Sequence, residues 1–120
     1  MSKMENGLKL LNKLHGGHTG EAILNQFKEI SPKMAEITIE NMFGDILQRT
    51  NILDIKTREL LIIVSLVTLG SCDNQIRAHT EAAINVGASK EEISEAILQT
   101  AYFAGFPKAA NALISIKELF

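Results

Sequence analysis

The chain has 120 residues and a formal net charge of −2, with acidic and basic side chains interspersed, which suits a single domain, 1–120, and offers no basic stripe for nucleic acid. Its one cysteine, Cys72, allows no internal disulfide and fits a reducing compartment. The opening MSKMENGLKLLNKLHGG lacks a signal-peptide core, and the longest apolar run, Leu60 to Leu69, is too short for a bilayer, so a cytoplasmic protein without membrane partners is expected.

The pattern along the chain is helical throughout. Leu8, Leu10, Leu11 and Leu14 predict a first helix from Lys3 to Leu14, stopped by Gly16-Gly17. Thr19 is placed to cap a second, running to about Phe27 or Glu29. Ser31-Pro32 restarts the chain with an N-cap and a first-turn proline, and apolar positions from Met34 to Leu47 extend a third helix to about Arg49.

A fourth helix is expected over Lys56 to Leu69, with Asp54 as its cap. Its Ile- and Val-rich second half also suits a buried strand, but no second strand is available to pair with it. A helix apolar all round needs cover on every side, which points to partner subunits. Gly70-Ser71 breaks it, with Ser71 as the expected cap of a fifth helix ending before Gly87. Ser89 and Glu92 have capping-box spacing and open a sixth, which Gly105 ends. Pro107 falls in the first turn of the last. The fold class is all-α.

Cys72 lies seven residues before His79. On a continuous helix they would share a face, about 10 Å apart. A thiol near a helix N-terminus is favoured as thiolate, with Asp73 opposing this; the other reading is a small apolar residue at a helix start. His79 suits a general acid or base, or a satisfied core histidine. His15 and His18 have no third ligand evident nearby, so no metal site is expected. Tyr102, Phe103 and Phe106 belong to core or interface, and Tyr102 can also present a hydroxyl to a pocket.

Several segments resemble the carboxymuconolactone decarboxylase family: Asp54 with Arg58-Glu59-Leu60, the QIRAH stretch ending at His79, NVGASKEEISEAILQ, and YFAGFP. Asn6-Gly7-Leu8, and Gly44-Asp45-Ile46 before Arg49, resemble its single-domain decarboxylase branch. The resemblance implies an alkylhydroperoxidase D-like bundle of about six to seven helices, assembled as a homo-oligomer, trimer or hexamer. It implies a cofactor-free lyase or isomerase acting on a small carboxylated, lactone-like acid. His79 would shuttle the proton, Glu59 orient it, and Arg49 or Arg58 bind the carboxylate.

The redox branch of the family carries a CxxC pair. Here Cys72 holds the first position and Gln75 the second, so an internal dithiol cycle is excluded. The alternative function is a thiol-dependent hydroperoxide reductase, peroxiredoxin-like in outcome, using Cys72 and an external thiol reductant. A third is a non-catalytic, ligand-binding oligomer.

Overall fold

The computed structural model describes residues 1–120. Seven α-helices and no strand make the chain all-α. It divides into two compact units, Met1–Ile55 and Lys56–Phe120.

In the first unit, α1 spans Lys3–His15, α2 Thr19–Ile30 and α3 Pro32–Ile37. Ser2 caps α1, its hydroxyl accepting from the Glu5 backbone N–H at 3.1 Å. Ser31 caps α3 in the same way through Met34, at 3.2 Å, and Pro32 occupies the first turn as expected. The N-cap of α2 is His18 rather than Thr19, which is drawn into the helix itself.

The third helix does not continue to Arg49 in α geometry. After Ile37 it widens into a π-helical segment, Thr38–Phe43, and ends in a 3-10 turn, Ile46–Gln48. Two contacts explain the change. The backbone of Gly7 lies so close to Ile39 that a Cβ there would fall 2.1 Å from the Ile39 carbonyl oxygen. Gln48 then ties the end of the segment back to α1, its side-chain amide donating to the carbonyls of Asn6 at 3.2 Å and Phe43 at 2.9 Å. The wider turn still sends Ile39 and Phe43 inward, and both are buried.

In the second unit, α4 spans Ile55–Leu69, α5 Asp73–Asn85, α6 Lys90–Ala104 and α7 Phe106–Ser115. The ambiguous run of α4 is helical, and only one stripe of it is fully covered: Glu59, Ile63 and Val67, four residues apart. Ile63 and Val67 join Ile76, Ile93, Ile97 and Ile116 in one core cluster. Each such side chain contributes about 1.5–3 kcal/mol on burial, so this cluster is the main source of the unit's stability.

The break between α4 and α5 differs from expectation. Gly70 and Ser71 both adopt positive φ, 80° and 58°. The helix begins at Asp73, so the N-cap falls on Cys72 rather than Ser71, with no side-chain hydrogen bond. The start of α6 follows its sequence signal closely. Ser89 Oγ accepts from the Glu92 N–H at 3.0 Å, and Glu92 accepts from the Ser89 N–H at 2.9 Å. The other Glu92 oxygen takes a hydrogen bond from Lys56 Nζ at 2.9 Å, joining the first turn of α4 to that of α6.

Two predictions follow from these contacts. Gly7→Ala forces apart two backbones in van der Waals contact and should lower unfolding free energy by about 1–3 kcal/mol, read from denaturant midpoints. The second concerns acid. The Lys56 hydrogen bond, followed by the Ser89 N–H, holds the Glu92 carboxyl below its usual value of 4.5. A depressed folded-state value stabilises above the unfolded one, and the contribution is lost as pH falls from 4.5 through the folded value. Glu92→Gln should therefore flatten the acid limb of a stability-against-pH curve in that window and leave the alkaline limb unchanged.

Candidate functional site

The polar centre of the second unit is built by two helices. Glu59 sits one turn into α4, on the stripe that Ile63 and Val67 continue into the core, and its side chain has no exposed surface. His79 lies midway along α5 and presents Nδ1 to Glu59 Oε1 at 2.8 Å. The imidazole side chain keeps 21% of its surface exposed. One member of the pair is therefore sealed and the other reachable. Oε2 of Glu59 has no hydrogen-bond partner within the protein.

This geometry fixes chemistry. With Glu59 ionised its carboxylate only accepts, so Nδ1 is the donor of this bond. A buried carboxylate with one satisfied oxygen is less stabilising than an apolar residue of equal volume. A buried acid bonded to a partly exposed histidine is an arrangement also met at acid–base sites.

The other sequence-derived residues are distributed as follows. Arg58 is adjacent to Glu59 on α4 and half-buried, while Arg49 follows the 3-10 turn of the first unit and is exposed. Arg77 is engaged with Glu118 and, at 3.9 Å, with Glu81; its use elsewhere accords with the different face it occupies from His79. Tyr102 is 87% exposed near the end of α6, its ring edge-on to Phe103 at 5.1 Å. His15 is buried at the end of α1, with its ring edge-on to Phe43 at 5.6 Å.

Cys72 is half-buried at the α5 N-cap, outside the helix whose regular spacing would have set its relation to His79. Its thiol donates to the Gly70 carbonyl at 3.3 Å, and the side chain packs against the isoleucine-rich core. The uncapped N–H groups of α5 lie beside it, as the sequence suggested. Its immediate contacts are those of a small apolar residue with a weak donor.

One feature of the unit was missed by sequence reasoning. A cleft of about 390 Å³ lies between the end of α4, the start of α5 and α7, with Val67, Ile76 and Ala112 in its walls and Lys108, Asn111 and Ser115 supplying polar groups. The signal was present in α7, where these three residues form a polar stripe at helical spacing on an otherwise apolar helix. Neither Glu59 nor His79 lines this cleft.

Comparison with known proteins bears on the same residues. The model of the carboxymuconolactone decarboxylase family matches residues 32–118. The chain belongs to that family. An uncharacterised 15.0 kDa protein from the nqo9–nqo10 intergenic region of Paracoccus denitrificans is 33% identical over 75% of this chain and 67% of its own length. A 4-carboxymuconolactone decarboxylase from Acinetobacter baylyi is 36% identical over 53% of this chain, and the match spans 47% of that protein. The nitrosuccinic acid decarboxylase npaB of Metarhizium robertsii is 30% identical over 92% of this chain and 76% of its own length. Family membership covers both the Glu59 and the His79 positions and the helices that carry them.

The Glu59–His79 bond has a spectroscopic signature. Nitrogen-15 shifts of His79 at neutral pH should report the Nδ1–H tautomer. Glu59→Ala should shift those resonances away from the Nδ1–H pattern.

Proposed function

We propose that this decarboxylase-family protein is a cofactor-free lyase acting on a small organic acid, with His79 as the proton shuttle. The observation that carries the reading is the 2.8 Å bond between the sealed Glu59 and the reachable His79. The names of two relatives, each a decarboxylase of a carboxylated compound, support the reaction class.

In the proposed reaction, the bond between the substrate carbon and its departing carboxylate breaks and carbon dioxide leaves. The electron pair passes into an adjacent carbonyl-type group, giving an enolate. Protonated His79 delivers its Nε2 proton to the carbon and is reprotonated from solvent at its exposed edge. Glu59 accepts from Nδ1 throughout, holding the ring in place and stabilising the imidazolium. Arginine suits the remaining carboxylate because its planar fork binds both oxygens at once. Arg58, half-buried beside Glu59, and Arg49 are assigned that role, and Tyr102 a polar contact with the substrate.

The assembly that goes with this reading is a homo-oligomer, trimer or hexamer, supported by the apolar residues that α4 and α7 leave exposed, Leu61, Leu69 and Ile114. The thiol-dependent peroxidase reading has less support: the Cys72 thiol is spent on a backbone carbonyl and packs on the core, and Gln75 offers no resolving thiol.

The test is turnover of carboxylated lactones and related acids. His79→Ala should lower kcat by about 100-fold or more, the range of general acid–base catalysis, with the helical circular dichroism unchanged. Cys72→Ser should retain activity, and Arg49→Lys or Arg58→Lys should raise KM. Full activity in His79→Ala would remove the assignment, and loss of activity confined to Cys72→Ser would replace it with the thiol mechanism.

A further inference from the structure

The cleft between α4, α5 and α7 takes no part in the Glu59–His79 chemistry, and its walls sort by chemical type. Its floor is the core itself: Val67, Ile76 and Ala112 line it, and each is no more than 2% exposed. Ile114, in the same lining, is open to solvent. The volume, about 390 Å³, falls at the small end of the range of ligand pockets, roughly 300–1,000 Å³.

The polar groups of the cleft have defined roles. Lys108 extends across Gly70, where a Cβ would lie 3.3 Å from its Cε. Its ammonium donates to the Thr68 carbonyl, in the last turn of α4, at 2.9 Å. That bond takes one of three N–H donors and fixes a side chain that is otherwise costly to order on binding. Ser115 gives its hydroxyl proton to the Ala112 carbonyl at 2.7 Å, so toward a ligand its oxygen only accepts. Asp73, exposed in the same lining, also only accepts when ionised, and Asn111 offers both kinds of group. A lysine beside the end of a helix is explained by the α4 carbonyl alone. A cleft of ligand size next to it, with donors and acceptors grouped over an apolar floor, is not.

We infer that this cleft binds a small hydroxy- or amino-carboxylate with a short hydrocarbon body, at a site separate from the Glu59–His79 pair. The carboxylate goes to Lys108, and the first N–H groups of α5, which no side chain caps, add positive potential. The hydroxyl or ammonium group goes to the acceptors, Ser115 and Asp73, and the hydrocarbon covers Val67, Ile76 and Ala112. This site goes beyond the lyase reading and does not depend on it.

The test is a titration of the nitrogen-15-labelled full chain with 2-hydroxyisovalerate and, separately, with valine, followed by amide NMR. The backbone resonances of Gly70, Ser71 and Asp73 and the side-chain amide of Asn111 should shift together, with a millimolar or tighter dissociation constant for at least one of the two acids. Isovalerate, which lacks the second polar group, and the uncharged amide of the better ligand should each bind about 10-fold more weakly or worse. Lys108→Met should weaken binding to a similar degree with helicity unchanged, and His79→Ala should leave it as it is. No shift at the cleft with either acid would overturn the inference on the wild type alone. Shifts confined to the surroundings of His79, or cleft binding that survives Lys108→Met intact, would overturn it as well. Inactivity toward every acid tested for turnover would remove the lyase reading and leave this site standing.

Discussion

A carboxylate sealed from solvent sets the terms for the second unit. Glu59 occupies a position on α4 that the helix otherwise gives to Ile63 and Val67, and it has one bonded oxygen, directed at His79. Apolar burial elsewhere in the unit, in the cluster that Ile63 and Val67 join, supplies the free energy that such a group consumes. The arrangement explains why α4 resists simple classification as amphipathic. Its inward face carries a carboxylate among apolar residues, and its outward face retains leucines at positions 61 and 69.

The first unit depends on a different constraint, the approach of two backbones at Gly7. With no Cβ in the way, the π segment lies directly against α1, and Gln48 locks its end. The role of Asn6 and Gly7 here is architectural: one supplies a carbonyl, the other a space. Those positions therefore carry information about backbone packing, whereas Glu59 and His79 form a polar contact between helices.

What could be read from the sequence divides along the same line. The start of α6 was legible to the residue, because a capping box is a local interaction among Ser89, Glu92 and the backbone between them. The third helix was legible in its cap and proline but not in its course, since the widening after Ile37 is imposed by α1, which lies far away in sequence. Spacing placed Cys72 and His79 on one helical face. The left-handed backbone at Ser71 instead leaves Cys72 at the N-cap, and no side-chain pattern announces a positive φ at serine. The Glu59–His79 pairing spans twenty residues and two helices; periodicity gave no hint of it, and family resemblance did.

Cys72 illustrates how far local context alters the meaning of a residue. A thiol at a helix N-terminus with a histidine seven positions on has the ingredients of a reactive site, and a relative with a second cysteine at position 75 would complete it. Here the Gly70–Ser71 turn brings the Gly70 carbonyl to the thiol at 3.3 Å, and the core packs against the side chain. The turn that breaks α4 from α5 thus sets the immediate contacts of the thiol, while further along α5 it is His79 that meets the buried carboxylate of Glu59.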